Sequence, residues 1–229
     1  MIFHDLEDAI FLERLNRFAA RVIYRGDEVL CHVPNSGRLR ELLVHGVRLR
    51  VRPALTERKT KCSMLMVHYQ GEWVVIDAHF TNTLFHEALL AEELEAFQGL
   101  TDVKREITFQ KSRFDFVYTK DDKVSFVEIK CGTLVEEDGI ARFPDAPTTR
   151  GTKHVKELIS AMDAGFGAHV VFIIQNPLAK GFSPNYKMDP DFCAAVEEAY
   201  ARGVQIHAYL CKTNANTISI KSSLDVYLR

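Results

Sequence analysis

Three side chains in two consecutive strand-like segments are suited to metal-assisted hydrolysis. They are Asp115, in the segment 113–118, and Glu128 and Lys130, in the segment 124–130. Residues two apart in a strand share a face, so Glu128 and Lys130 point to the same side of the sheet. A short polar stretch separates the two segments and predicts a tight hairpin turn. If the hairpin is symmetric about this turn, Asp115 lies directly opposite Glu128.

Two carboxylates that face each other across a hairpin need a neutralising partner. Cross-strand neighbours have Cβ atoms roughly 4.5–5.5 Å apart, and like charges at that separation destabilise a sheet. Mg²⁺ (or Mn²⁺) binds carboxylate oxygens and retains waters, and such an ion polarises a phosphate oxygen and activates a bound water. The sequence therefore predicts a phosphodiesterase site with catalytic residues Asp115, Glu128 and Lys130, in which the two acids hold the metal. Surface ion pairs on a solvated sheet face are the alternative interpretation.

Other charged residues are candidates for supporting roles. Glu87, on a helix that precedes the hairpin, is a candidate third metal ligand, although an exposed helix glutamate has the same sequence signature. Arg150, Lys153 and His154 fall on one side of a helix predicted over residues 150–164. Cations near a helix N-terminus, where backbone N–H groups favour anions, are suited to phosphate binding. A solvated basic helix face is the alternative.

The distribution of charge points to a polyanionic partner. The whole chain has a net charge of −2, but residues 14–61 contain twelve Lys or Arg and only four acids, an excess of +8 that leaves −10 for the remainder. Such asymmetry is typical of a basic module joined to an acidic one. We therefore predict DNA contacts, largely to backbone phosphates, from a set of arginines in this region: Arg38, Arg40, Arg48, Arg50 and Arg52. A basic face without a partner is the alternative interpretation.

Composition excludes several other classes. The chain of 229 residues is 47% hydrophobic and 26% charged, which is typical of a globular protein. No apolar run approaches the ~18 residues of a membrane helix. The acidic N-terminus is unlike a signal peptide, and five scattered cysteines favour reduced thiols, so we expect a cytoplasmic protein. Nucleotide-binding glycine motifs, a hydrolase serine motif and zinc-ligand spacing are missing from the sequence.

The first third of the chain reads as a small β-barrel. Five short strands are predicted, over residues 17–25, 28–33, 47–52, 64–69 and 72–77. An OB-fold is the leading candidate, and an SH3-like barrel, which has much the same sequence pattern, is the alternative. A short helix is expected over residues 38–43.

From Thr83 onward the hydrophobic period changes to that of helices and longer strands. An amphipathic helix over residues 84–94 precedes strands at 103–110, 113–118 and 124–130. A second helix (150–164), a continuous apolar strand (168–175), a third helix (190–202) and a last strand (204–210) complete the order αβββαβ(αβ). This order predicts an α/β layer fold.

Several sequence motifs together resemble the sugar fermentation stimulation protein A family. They span residues 14–212 and include Pro34-Asn35-Ser36-Gly37-Arg38, Ser112-Arg113-Phe114-Asp115-Phe116, Val127-Glu128-Ile129-Lys130 and Phe143-Pro144-Asp145-Ala146. The resemblance implies an α+β chain of two domains. An N-terminal OB-fold barrel (residues 1–81) would be followed by a PD-(D/E)XK restriction-endonuclease-like α/β domain (residues 82–229). The motif of that nuclease class falls on the same three residues that the hairpin selects.

Two functions follow from these observations. The first is a Mg²⁺-dependent deoxyribonuclease of the PD-(D/E)XK type. The second, implied by the family, is a non-catalytic DNA-binding regulator of sugar (maltose) metabolism genes that keeps the nuclease scaffold for binding only. A role of the barrel in binding RNA or protein stays open, as does the oligomeric state, for which a homodimer is one option.

Overall fold

The N-terminal strands form a closed barrel. The computed structural model describes residues 1–110 and 112–229. Its first six strands are β1 (Glu7–Asn16), β2 (Ala19–Tyr24), β3 (Asp27–His32), β4 (Arg48–Pro53), β5 (Cys62–Tyr69) and β6 (Glu72–Val75). They are ordered β3-β2-β1-β4-β5-β6, and an additional parallel pairing of β3 with β5, through Cys31 and Cys62, closes five strands into a ring. This arrangement confirms the barrel prediction.

Two features of the barrel differ from the sequence prediction. Strand β1 is not predicted, because bulges after Phe11 and Arg14 interrupt the alternation of buried and exposed residues that marks a strand. The helix expected over residues 38–43 is a single turn, closed by the Leu43 N–H and the Leu39 carbonyl at 2.9 Å. Leu39 has a φ of 50°, which is incompatible with a right-handed helix at that position.

A second sheet of six strands contains the C-terminal part of the chain. Its strands are β7 (Thr101–Phe109), β8 (Ser112–Lys120), β9 (Lys123–Gly132), β11 (Gly167–Ile174), β13 (Gln205–Asn214) and β14 (Thr217–Ser223), ordered β14-β13-β11-β9-β8-β7. Strands β9, β11 and β13 are parallel, and the outer strands are antiparallel. Two short strands, β10 (Ile140–Phe143) and β12 (Gly181–Pro184), pair separately; these and β14 are too short or too polar to be predicted.

Three helices cover the second sheet. Helix α1 (Thr81–Leu90) begins three residues before the predicted range and ends four residues before its predicted end, because Glu92 adopts a φ of 52° and a 3₁₀ turn over Glu95–Phe97 follows. Helix α2 (Thr149–Asp163) follows the cap Thr148 and lies within one residue of the predicted range at each end, and α3 (Pro190–Ala201) follows the cap Asp189. No helix in the described ranges is long and apolar enough to cross a membrane.

The two faces of the second sheet have separate cores. Helices α2 and α3 pack on one face around Phe172, Val155 and Phe192, whereas α1 packs on the other around Phe85 and Phe116. The second core also includes Met66 and Val75 of the barrel, as well as other residues of both parts. The barrel and the sheet therefore share buried apolar surface, which fixes their relative position.

Candidate active site

The hairpin formed by β8 and β9 has the register that its symmetric turn predicts. Asp121 and Asp122 occupy the turn with φ values of 50° and 59°, the left-handed pair of a two-residue hairpin loop. Pairing runs from Lys120 opposite Lys123 to Phe116 opposite Val127. The next position along each strand carries Asp115 and Glu128, so the two acids are adjacent across the hairpin.

Two hydrogen bonds hold the side chain of Asp115, which lies within β8. Its Oδ1 accepts from the Asn82 side chain of α1, and its Oδ2 accepts from the Ile129 backbone N–H, each at 2.7 Å. Burial, followed by the negative charge of Glu128, raises the pKa of Asp115 above its usual value. The ionised form of Asp115 is therefore disfavoured even though the Lys130 charge acts in the opposite direction, and a divalent cation beside Asp115 would favour that form.

Glu128 is buried and uses its two oxygens differently. Oε1 accepts a hydrogen bond from Lys130 Nζ at 2.5 Å and lies 2.6 Å from His154 Nδ1 of α2. Burial alone would raise the pKa of Glu128, but the Lys130 charge and these hydrogen bonds outweigh it and lower the pKa. Oε2 is also buried and has no hydrogen-bond partner among the described residues. An ionised oxygen without a partner is costly in a dry site and is suited to a cation.

A small cavity of about 220 Å³ contains these groups. Besides the two carboxylates and Lys130, it is lined by Glu106, Arg113, Thr148, Arg150, Gly151 and His154. Arg150 is exposed at the rim, with its Nε 3.5 Å from His154 Nε2. The Thr148 hydroxyl caps α2 by accepting from the Gly151 N–H, so the helix N-terminus borders the cavity and offers an environment that favours anions.

The structure places Glu87 away from the cavity. Its carboxylate is half-exposed and lies 3.3 Å from the amino group of Met1. Asn82 and Glu87 are five residues apart on α1, which turns their side chains to different faces of the helix. Because Asn82 is the residue that faces Asp115, the expectation that Glu87 supplies a third carboxylate is wrong for this arrangement.

The predicted DNA-binding residues occupy several different places. The three β4 arginines contact other parts of the protein and not the carboxylate cavity: Arg48 lies over Trp73, Arg52 over Phe80, and Arg50 pairs with Asp8 and the Ala215 carbonyl. Arg38 and Arg40 are exposed on the loop after β3. Lys153 is exposed on α2, 3.6 Å from Glu157. Of the predicted residues, Arg150 and His154 are thus the ones that line the cavity.

The oxygen donors at the site suit a hard divalent cation such as Mg²⁺ or Mn²⁺ more than zinc or copper. The described residues form no cluster of three or more His, Cys, Asp and Glu that would hold a metal by themselves. Two carboxylates with water or phosphate oxygens are the environment that Mg²⁺ prefers. Asp115 and Glu128 Oε2 are therefore the residues able to hold such an ion.

Comparison with known proteins identifies the family of this chain. Residues 79–217 match the family model described as the sugar fermentation stimulation protein RE domain, and residues 12–76 match the SfsA N-terminal OB domain. The chain belongs to the sugar fermentation stimulation protein family. This confirms the resemblance seen in the motifs and identifies the barrel as the OB domain of that family.

Relatives in this family align over nearly the whole chain. Sugar fermentation stimulation protein homologues from Alkaliphilus metalliredigens and Caldanaerobacter subterraneus are each 41% identical, over 95% of this chain and 94% and 95% of theirs. The solved structure of Pyrococcus furiosus SfsA in complex with Ca²⁺ is 30% identical and superposes with a TM-score of 0.90, covering 100% of this chain and 98% of the other. The mixed α+β architecture is therefore that of SfsA.

A clamp between the barrel and the segment that joins β10 to α2 connects two of the family motifs and was not predicted. The Asp145 carboxylate accepts a hydrogen bond from the Leu39 N–H, and Arg14 donates to the carbonyls of Gly37, Arg38 and Asn35. The motifs at residues 34–38 and 143–146 are the two sides of this clamp. Both motifs are visible in the sequence, but their presence does not show that the two segments contact each other in the fold.

Substitution of Gly37 by alanine is expected to destabilise the clamp. An added Cβ would lie 2.7 Å from both Asp145 carboxylate oxygens, so the loop or Asp145 must move. We expect the free energy of unfolding, measured in urea, to fall by about 1–3 kcal/mol. The same substitution in an Asp145→Ala background should cost less, although Asn35 Oδ1 at 2.9 Å still crowds the position. Equal losses in both backgrounds would show that Asp145 is not the obstacle.

Proposed function

We propose that this protein binds DNA and hydrolyses its phosphodiester bonds at Asp115, Glu128 and Lys130 with the aid of Mg²⁺ or Mn²⁺. The observation that carries the proposal is the buried, unpartnered Oε2 of Glu128 beside Asp115, whose pKa is raised by burial and by the Glu128 charge. A buried anionic pair costs stability unless a cation joins it. A destabilising pair of carboxylates is expected in a site whose function is to bind a metal ion.

Each residue of the site has a distinct role in the proposed reaction. A bound divalent cation would polarise a phosphate oxygen and lower the pKa of a bound water. Asp115 and Glu128 would hold it, and Asn82 and His154 fix the orientation of these carboxylates through the bonds described above. Lys130 keeps a positive charge at the site and stabilises negative charge that develops on the phosphate.

Groups at the rim are suited to orient the nucleic acid. Arg150 offers a guanidinium for phosphate oxygens, and the N-terminus of α2 adds backbone N–H groups. These contacts do not distinguish one base from another, so we expect little sequence preference.

Similarity to relatives supports the proposal. The related Pyrococcus furiosus protein is in complex with Ca²⁺, an ion that shares the oxygen preference of Mg²⁺. The matched family model is described as an RE domain, which is consistent with the PD-(D/E)XK interpretation.

The cysteines bear on the compartment of the protein. All five are free thiols, as suits a cytoplasmic protein.

A cleavage assay with matched variants tests the function. Supercoiled and single-stranded circular DNA are incubated with the wild type in Mg²⁺, Mn²⁺ or EDTA, and products are separated on gels. We expect cleavage with either metal, none in EDTA, and none with Asp115→Asn. Asp121→Asn, the same change at the exposed turn of the same hairpin, is the control and should cleave normally. DNA binding without product under both metals would overturn the nuclease and support the non-catalytic regulator.

A further inference from the structure

A continuous cleft leads from the barrel to the carboxylates. Three adjoining cavities of about 640, 480 and 220 Å³ follow one another along it. The first and second share Arg17, Gly37 and Pro147, and the second and third share Thr148 and Arg150. The barrel loop and the segment between β10 and α2 form its walls. The carboxylate site is therefore the end of a longer channel.

The cleft carries positive charge that the protein does not neutralise. Four exposed arginines line it without an ion pair to any carboxylate in the described part of the chain: Arg17, Arg38, Arg40 and Arg150. Some exposed arginines elsewhere are paired with carboxylates, as Arg25 is with Glu7, whereas others, such as Arg58, are not. What sets the cleft apart is that four unpaired arginines are gathered along it, and in a chain of net charge −2 this concentration favours a polyanionic occupant.

An exposed aromatic residue follows Arg17, which lines the barrel end of the cleft. Phe18, next to Arg17, is 52% exposed, whereas Phe11 of the same hairpin is 2% exposed. The Phe18 backbone is fixed, because its N–H donates to Asn16 Oδ1 and its carbonyl accepts from the Val33 N–H, each at 2.9 Å. An exposed ring on a fixed backbone, next in sequence to an arginine, is suited to stack on a nucleobase. The loop between the first two strands is also one that OB-folds use for oligonucleotides.

We infer that the substrate is a single-stranded polynucleotide that stacks on Phe18 and runs through the cleft to the carboxylates. This rests on the proposed function and deepens it. The two larger cavities have volumes typical of a site for one small ligand, which suits successive nucleotides better than a duplex. The bond between Leu39 and Asp145 joins the two walls and opposes their separation. Stacking on Phe18 also requires an unpaired base.

Binding without cleavage tests this inference. Fluorescence anisotropy in EDTA compares a labelled oligothymidylate of about 20 nucleotides with a duplex of equal length. We expect the single strand to bind more tightly, and Phe18→Ala to weaken its binding about 5- to 150-fold, the range for loss of one stacked base. Leu15→Ala removes another exposed apolar side chain near Phe18 and is the control. Arg17→Ala should reduce the salt dependence of binding, whereas Arg21→Ala, at an arginine paired with Glu28, should not.

The outcomes separate this inference from the nuclease proposal. Tighter binding of the duplex, or equal effects of Phe18→Ala and Leu15→Ala, would overturn the single-strand inference even if the protein cleaves DNA. Phe18-dependent binding of single strands without cleavage in either metal would support the inference and overturn the nuclease. An oligouridylate of the same length tells whether the strand is DNA or RNA.

Discussion

Replacement of Lys130 by alanine is expected to reduce Mg²⁺-dependent cleavage of DNA by about 10²–10⁴-fold, the usual effect of removing a group that assists proton transfer or charge development. The ammonium donates to Glu128 Oε1 in a largely buried site, where a charge has a stronger effect than at the surface. Single-turnover rates with saturating enzyme measure the chemical step without the contribution of DNA binding.

Lys130→Ala is also expected to change the pH dependence of cleavage, because it alters the pKa of Glu128. The Lys130 charge is the largest of the contributions that lower the pKa of this carboxyl. Without it, burial dominates, the pKa of Glu128 rises, and the acidic limb of the pH–rate profile moves to higher pH. Lys123→Ala, at the exposed end of the same hairpin, is the matched control and should retain both rate and profile. Cleavage by Lys130→Ala within twofold of the wild type would remove Lys130 from the mechanism.

The site was predictable to the extent that it depends on one hairpin. Two strands joined by a two-residue turn have a register that follows from counting, so the positions of Asp115, Glu128 and Lys130 relative to each other follow from the sequence alone. The partners of these residues did not follow. Asn82 and His154 come from helices distant in sequence, and their contacts depend on how α1 and α2 pack on the sheet.

The prediction for the β4 arginines shows the same limit. Alternation with Leu49 and Val51 correctly places Arg48, Arg50 and Arg52 on the outside of the barrel. What that outside faces depends on the second sheet, whose turn at Ala215 accepts from Arg50. Local periodicity therefore identifies exposed strand positions, but it does not tell whether solvent, DNA or another part of the protein lies opposite them.

A buried pair of histidines is expected to make the fold sensitive to acid. The His169 ring lies 2.6 Å from the Tyr118 hydroxyl and 3.1 Å from His207, between β8, β11 and β13. Burial lowers the pKa of His169 to about 3 and that of His207 to about 4, and the His207 ring further lowers the pKa of His169. Both rings are thus neutral in the folded protein at neutral pH.

Protonation of the unfolded chain gives the direction of the effect. Below pH 6.5 the unfolded histidines bind protons, whereas the folded ones stay neutral until about pH 4 and 3. Stability therefore falls as the pH decreases from 6.5. We expect the free energy of unfolding in urea to be about 2–4 kcal/mol lower at pH 5 than at pH 7. That loss is a large part of the stability of an ordinary domain.

Replacing either histidine by a side chain that does not titrate distinguishes the contribution of these two residues to acid sensitivity from that of other groups. Gln at position 169 or 207 retains hydrogen-bonding capacity but takes up no proton in either state, so each variant should lose less stability between pH 7 and pH 5 than the wild type. The readout is this pH dependence, since His169→Gln is also expected to lower stability at pH 7 by disturbing its bond to Tyr118. An unchanged slope in His207→Gln and His169→Gln would assign the acid sensitivity to other groups, such as His32, whose pKa burial also lowers.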